Sequence, residues 1–441
     1  MPHHQETAPS GRYPAPDDVL GFAEHLVTNH KDRCRLSVVG HSRQGRPLHV
    51  LTIGAGHRHV LVVAGAHPNE PVGGATLRAL ADHLTAQGAL AGDTTWHLLL
   101  CLDPDGAHLN GRDATTLTAY YRGFYRPRVR EQPEWAPSVA GAAPLPESQA
   151  LLQVVERYRP ALQVSLHSTD VGGTYTLLTR PVDGFAEVFA DSARAARLPV
   201  ETATMDAGYW PTPGPGIYLL PPPGAPERPT VFSEDAHRST WLAPHAHGGT
   251  TAIVEVPVFA SDRLSAAAEH PEPEAALREA AELLRSLSRE LTAHLDKVRD
   301  ILPPLGADAE ATALRSSVEE NLAISYALAD TWDPRNPAFT PVPGLTSARA
   351  ASLELFARRL PLNVVGMLAR LVGIPAREGV PRAESAAEAL DALLVRWCDA
   401  YADSFQVRPV PVADQVAHQL RSVLALAERV RLPEPAGDVA P

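Results

Sequence analysis

The chain has 441 residues, with 39 basic against 51 acidic side chains and a formal net charge of −12. Lysine is confined to Lys31 and Lys297 and no basic tract exists, so the composition speaks against nucleic acid or an anionic membrane as a partner. An odd, sparse set of cysteines (Cys34, Cys101, Cys398), a start that lacks a signal-peptide pattern and the lack of any apolar run of membrane-spanning length point to a cytoplasmic protein without a disulfide framework.

The length exceeds what one hydrophobic core usually serves, so two domains are expected. Residues 1–14 read as a polar tail. From Asp17 to His30 the apolar positions Val19, Leu20, Phe22, Ala23 and Leu26 keep helical spacing, opened by Asp17-Asp18 as cap and first-turn charge. Strands follow near 34–39, 47–54 and 59–65. A helix carrying Leu77, Leu80, Ala81 and Leu84 then leads back to a strand at 96–102, which is the local signature of a sheet with parallel members. The stretch 103–146, rich in Arg, Tyr, Gly and Pro, reads as a long functional loop. A β-rich run over 162–168, a strand at 174–179, a helix near 182–196 and a Pro/Gly loop over 208–218 precede the strand 250–259.

The pattern changes at about 263. Pro271-Glu272-Pro273 marks a junction, after which Leu277, Ala280, Ala281, Leu284, Leu287, Leu291 and Leu295 repeat at helical spacing, with further helices near 307–331, 347–373, 384–404 and 411–431. The fold expected is therefore α/β, a mixed, mostly parallel sheet flanked by helices over 15–262. A C-terminal all-helical region follows over 263–432, then a tail over 433–441.

Several of these runs lead into metal-binding groups. Val62-Val63-Ala64-Gly65-Ala66 runs into His67 and Glu70, and imidazole nitrogen with carboxylate oxygen are ordinary zinc donors. A catalytic zinc takes three protein ligands, and His167, after the run Leu162–Leu166, is the third candidate. Glu255 interrupts the apolar strand Thr250–Phe259. A carboxylate there is costly to desolvate unless it is paired or lies beside a metal, and desolvation moves its pKa toward the range of a general base. His237, His245 and His247 offer another cluster, but without helical spacing or a further strong ligand they read more simply as a polar loop.

With these residues in place, the chain resembles the carboxypeptidase A-like zinc metallopeptidases over roughly residues 15–262. The order and scale of the spacings agree: 167 − 67 gives 100 residues and 255 − 167 gives 88. Gly40-His41-Ser42-Arg43-Gln44-Gly45-Arg46-Pro47-Leu48 resembles the hairpin before the first metal-binding strand. Asp103-Pro104-Asp105-Gly106 resembles the family's Asn-Pro-Asp-Gly turn, with Asp103 in place of Asn. The resemblance implies a zinc carboxypeptidase-like fold and one Zn²⁺ per chain on His67, Glu70 and His167, with Glu255 activating the metal-bound water. It implies that residues after the turn hold the substrate's terminal carboxylate and polarise its carbonyl. Asn110 is the candidate for the first role, Arg126 and Arg112 are rivals for the second, and Arg112 is the fallback for either. A tyrosine covering the substrate is implied at Tyr209 or Tyr218.

The activity this implies is hydrolysis of an amide bond, as a metallocarboxypeptidase acting on peptides. Two alternatives stand beside it: deacylation of a small N-acyl amino acid, as in the aspartoacylase and succinylglutamate desuccinylase group, and a non-catalytic zinc-binding module whose helical region is the functional surface. The helical region carries no ligand set or phosphate loop; shaping access, self-association and docking of a partner are its open roles.

Overall fold

The computed structural model describes residues 12–86, 93–208, 210–222, 236–339 and 344–430. Helix α1 (Pro16–Asn29) opens where the Asp18 carboxylate accepts the Ala15 N–H at 2.7 Å, and it buries Val19, Ala23 and Leu26 on one face. Strands β1 (Cys34–His41) and β2 (Pro47–Ile53) form an antiparallel hairpin, followed by β3 (Arg58–Val63), helix α2 (Val72–Ala86) and β4 (Thr94–Leu99). The rest of the sheet is β5 (Leu162–Gly172), β6 (Tyr175–Leu178), β7 (Ile217–Leu219), β8 (Thr250–Ala260) and the two-residue β9 (Arg408–Pro409). Strand order is β1-β2-β4-β3-β5-β8-β6-β7, with β9 on β8. The centre, β4-β3-β5-β8, is parallel, and antiparallel pairings join β1, β2, β6 and β9 to it.

Position 103–146 is more ordered than the long loop expected of it. It contains the six-residue helices α3 (Pro104–Leu109) and α4 (Leu117–Arg122) and two 3-10 turns at Val129–Glu131 and Ala136–Ser138. Helices this short are below the length at which apolar periodicity is visible, and their stability comes from packing. Tyr120, Tyr121 and Phe124 are all buried, each contributing roughly 1.5–3 kcal/mol. Helix α5 (Pro146–Tyr158), also unanticipated, buries Glu147 and Ser148 in its first turn, a polar start that hides its apolar face. Helix α6 (Phe185–Ala195) then covers the sheet beside β7.

Beyond β8 come α7 (Pro273–Val298), α8 (Ala309–Trp332), α9 (Ser347–Arg377), α10 (Pro381–Phe405) and α11 (Val412–Arg429). The first four pack on one another, whereas α11 lies against α2, α6 and β8. The apolar core of the helices is continuous with that of the sheet: Leu284, Leu314, Met367 and Leu394 share one cluster with Tyr121, Phe124 and Phe259. Contact is close where α9 crosses α4, since a Cβ at Gly366 would stand 2.2 Å from the Tyr121 carbonyl oxygen.

The buried face of α11 is polar at Gln415, His418, Gln419 and Ser422, the i, i+3, i+4, i+7 positions of one helical stripe. His418 bonds Thr174 Oγ1 at 2.8 Å and Ser192 Oγ at 2.9 Å. A second buried imidazole, His97, bonds His59 at 3.0 Å and Thr52 at 3.1 Å and stacks on Tyr158. Burial pushes both rings down to about 3 from the ordinary 6.5, aided by His59 for His97 and by Arg421 for His418. Between those values the unfolded chain binds protons that the folded chain refuses, so stability falls as pH drops from about 6.5 toward about 3. Each group steepens that fall by at most about 1.4 kcal/mol per pH unit. Urea midpoints recorded across this window are expected to fall with acid, and His418→Gln to show a shallower slope. An unchanged slope in the variant removes His418 from the account.

Candidate metal centre

Strand β3 pairs with β5 only as far as Val63↔Ser165, while β5 and β8 continue together to Gly172↔Ala260. Past the end of β3 the chain turns at Gly65, whose φ is +63° and where an added Cβ would stand 2.8 Å from Cys101 Sγ. This turn brings His67 and Glu70 over the continuing β5–β8 pair. His167 and Glu255 therefore lie within their strands, five residues before the ends; the sequence placed Glu255 inside its strand but His167 at a strand end. They are direct register partners.

The donors converge. Glu70 Oε1 is 3.0 Å from His67 Nδ1 and Glu70 Oε2 is 2.9 Å from His167 Nδ1, with all three residues buried. One ligand atom from each lies within 4.8 Å of the others, and among the described residues this is the one His/Cys/Asp/Glu group able to hold an ion; His237, His245 and His247 form none. Glu255 Oε1 is 3.7 Å from His167 Nδ1, and Glu255 Oε2 is buried without a hydrogen-bond partner. Two imidazole nitrogens, a carboxylate and an orphaned carboxylate oxygen beside them fit Zn²⁺ with one position left open.

The outer contacts hold this geometry. His167 Nε2 is 3.1 Å from Glu134 Oε2, and Glu134 also accepts from Trp241 Nε1 at 2.8 Å and Ser165 Oγ at 2.6 Å. A carboxylate on the far ring nitrogen leaves Nδ1 for the metal and fixes the ring. Gln419 of α11 donates to the carbonyls of His167 at 2.7 Å and Val254 at 3.1 Å, tying both strands where the site lies. Arg126 donates from Nη1 to Glu70 at 2.8 Å, and its Nη2 lies 3.2 Å from His67.

Burial alone would raise Glu70, but His67 and His167 hold its carboxyl well below the usual range. Glu255 goes the other way, pushed well above that range by burial and by the neighbouring Glu70. Burial and then Arg126 bring His67 down to about 4, whereas Glu70 and Glu134 outweigh burial and raise His167. Two carboxylates a short distance apart are thus driven in opposite directions, the usual mark of a ligand beside a base.

A cavity of about 320 Å³ opens over this cluster, and Arg126 and Glu255 both line it. Asn110 and Arg112 are not brought there; they border a separate cavity of about 40 Å³ on the other side of the His67–Glu70 turn. Asn110 Oδ1 instead accepts the Tyr125 N–H at 2.8 Å, bracing the loop whose two strands touch at Gly111 and Gly123. Tyr218 is also elsewhere: buried in β7, it donates to the Glu201 carbonyl at 2.9 Å and accepts from Thr204 N. Tyr209 lies outside the described residues. Sequence reasoning missed Glu134, Trp241 and Asp206, which come from irregular segments with no periodic signal. It also missed Arg359 and Asn363, whose one trace is a pair of polar residues interrupting an otherwise apolar helical pattern.

Residues 19–177 match the family model described as zinc carboxypeptidase. That segment is similar to the zinc carboxypeptidase family. It contains His67, Glu70 and His167, while Glu255 and the helical region lie beyond it. Among solved structures, the metallo-carboxypeptidase from Burkholderia cenocepacia aligns at 16% identity and a TM-score of 0.36, covering 55% of this chain and 59% of that one. Carboxypeptidase A from Helicoverpa armigera aligns at 15% identity and 0.39, covering 56% and 65%. Bovine thrombin-activatable fibrinolysis inhibitor, solved with tick carboxypeptidase inhibitor, aligns at 14% and 0.30, covering 42% and 71%. The chain thus spans about three-fifths of the Burkholderia cenocepacia structure. No curated protein sequence matches it significantly.

The matched segment and the donor triad together support a zinc metallopeptidase-like domain. The motif turns of that domain are physically accounted for. Asp103 Oδ1 accepts the Gly106 N–H at 3.0 Å, an N-cap bond that Asp makes as well as Asn. A Cβ at Gly106 would stand 2.3 Å from Pro68 Cγ, which requires glycine there. The hairpin 40–48 clamps the same turn: Ser42 and Arg46 bond Asp105 at 2.7 Å each, and Arg43 pairs with Glu147 at 3.2 Å. Zinc affinity provides the check on the outer contacts. Glu134→Gln is expected to weaken it by about 10–100-fold, the usual effect of losing a carboxylate behind a ligand histidine, measured by chelator competition. An affinity equal to that of the parent protein shows Glu134 to be packing only.

Proposed function

We propose that the protein is a zinc-dependent hydrolase of amide bonds, most simply a carboxypeptidase-type enzyme that removes a C-terminal residue, with one zinc per chain on His67, Glu70 and His167. The observation that carries this reading is Glu255: a buried carboxylate with one unpartnered oxygen, directly across two parallel strands from His167. A structural metal site has no use for such a group, and this weighs against a non-catalytic module. Zinc held by the triad supplies Lewis acidity, polarising a carbonyl oxygen and acidifying water.

The chain's own residues do the rest. Glu255, with its carboxyl raised, takes a proton as the water oxygen adds to the scissile carbonyl carbon, and returns it to the amine nitrogen as the C–N bond breaks. Arg126, held by Glu70 and within 3.4 Å of Gln132, faces the same cavity and stabilises the negative charge that develops on the carbonyl oxygen. Arg112, bordering the other cavity, has no part in this step.

Deacylation of a small N-acyl amino acid is the second reading. What favours it is the size of the cavity: α8 contributes Glu320, Asn321 and Ile324 and α9 contributes Phe356, Arg359, Leu360 and Asn363 to its wall, around a space of about 320 Å³ suited to a small substrate. Zinc-loaded protein incubated with mixed peptides and N-acyl amino acids separates the two by mass spectrometry. Ladders shortened from the C-terminus support the first reading, and free amino acids from acylated ones the second.

Two variants test the chemistry. Glu255→Gln keeps the shape of the site but cannot accept the proton, so zinc content is expected to stay while turnover falls by about 10²–10⁴-fold. Near-normal turnover assigns the base elsewhere. For Arg126→Ala the loss is expected chiefly in kcat, because its contact strengthens only as charge develops. A rise confined to KM would make Arg126 a ground-state anchor instead.

A further inference from the structure

A buried helix face is ordinarily apolar, so a buried glutamine on one costs stability unless its amide is paired. Gln419 of α11 is 0% exposed, and both ends of its amide are paired. The nitrogen donates to the carbonyls of His167 at 2.7 Å and Val254 at 3.1 Å, and the oxygen accepts from Thr76 Oγ1 at 2.7 Å. Two donors on one atom with an acceptor beside them is what a primary amide offers and an apolar or ionised acidic side chain of similar length does not.

The three partners belong to the three elements that carry the site. His167 lies on β5, Val254 precedes Glu255 on β8, and Thr76 lies in α2, which starts two residues after Glu70. Beyond Ser165, β5 has lost β3 as a neighbour, and Gln419 restrains it there from another direction. The adjacent His418 acts on the base. Thr174 Oγ1 donates to the Glu255 carbonyl at 2.6 Å, so His418 Nε2, 2.8 Å away, is the donor to Thr174, and Ser192 Oγ donates to Nδ1 at 2.9 Å. The chain reaches this position only after the four helices that pack on one another. β9 joins the end of β8 at Phe259↔Pro409, the Val410 N–H donates to the Val258 carbonyl at 3.0 Å, and α11 then lies on α2, α6 and β8.

We propose that Gln419 is a positioning residue of the metal site. It sets the separation of His167 from Glu255 and the placement of both against the His67–Glu70 turn, with His418 acting on Glu255 through Thr174. Its kinetic consequence rests on the amide-hydrolase reading, whereas its effect on a bound metal does not. Gln419 touches no reacting atom; it holds the backbones from which ligand and base project. Small shifts matter there, because a misplacement of about 1 Å costs up to about 10²-fold in rate.

The full chain is tested in three variants. Gln419→Met keeps the volume but bridges nothing, and Thr76→Val removes only the hydroxyl that bonds the amide oxygen. Gln415→Met is the control: Gln415 is equally buried on the same stripe and bonds Tyr13 at 3.1 Å and the Val410 carbonyl at 2.9 Å, but no element that carries a ligand or the base. A loss of stability alone therefore falls on both glutamine variants, and a loss of positioning on Gln419→Met only. Three quantities are measured: the visible spectrum of the Co²⁺-loaded chain, which follows ligand geometry, zinc affinity by chelator competition, and kcat and KM on whichever substrate wild type cleaves. Gln419→Met is expected to shift the cobalt bands, to weaken zinc by about 10-fold or more, and to lower kcat by about 10–100-fold with KM within about 2-fold. Thr76→Val is expected to move the same quantities the same way by less, and Gln415→Met to keep parent values.

Parent spectrum, zinc affinity and kcat in Gln419→Met, or equal losses in Gln415→Met, overturn the assignment. If Gln419→Met does not fold, Thr76→Val decides: shifted bands uphold the role and parent values overturn it. If wild type cleaves nothing, yet the cobalt bands shift in Gln419→Met and not in Gln415→Met, the positioning role stands and the hydrolase reading falls.

Discussion

The site depends on keeping two carboxylates, Glu70 and Glu255, in one dry space. Like charges in such surroundings repel strongly, and the protein answers by treating them differently. Glu70 is held between two imidazoles and kept ionised, while Glu255 keeps an oxygen free of any partner and is driven toward its protonated form. A dication bound by the first would lower the cost of charge on the second. The surrounding contacts serve that asymmetry: Glu134 orients His167 from behind, Arg126 bears on Glu70, and Gln419 holds the carbonyls of His167 and Val254 from a helix 252 and 165 residues further along the chain.

Both halves of the molecule take part in building the site. The segment 103–146 lies between the sheet and the helical region and is pinned from the latter side. Arg370 donates to the carbonyls of Gly123 and Phe124, Glu320 accepts the Val129 N–H, and Arg122 pairs with Asp391. Arg349 of α9 likewise reaches the Thr204 carbonyl and that of Gly208. Arg126 therefore owes its position to helices that begin 183 or more residues after it, since 309 − 126 = 183. Short helices in that segment gain their stability from this packing and not from their own propensity.

Close to the metal ligands the structure is stiff for a different reason. Asp103, fully buried, is raised to about 7 by burial despite its bond from Gly106 and the nearby Arg43, and Arg43 also pairs with Oε1 of the equally buried Glu147. The motif residues of the hairpin and the turn thus form a polar clamp outside the cavity. They support the strands that carry the ligands without touching the reacting groups.

The sequence alone determined much of this. His67, Glu70, His167 and Glu255 were legible because each sits in or just after a short apolar run where an ionisable side chain has no reason to be unless it is used. The sheet and the five long helices were legible because periodicity over many residues survives local noise. Tertiary structure decided the rest. Polar residues of irregular segments, such as Asn110, Arg112, Arg126 and Glu134, have no period to say which way they face, and only packing sends Arg126 and Glu134 to the metal side and Asn110 and Arg112 to the other cavity. Arg359 and Asn363 interrupt an apolar stripe in the sequence, but that stripe does not reveal which surface lies opposite. One wall of the cavity forms where α9 meets β5, through a contact between residues 188 positions apart, and no local pattern encodes so distant a meeting.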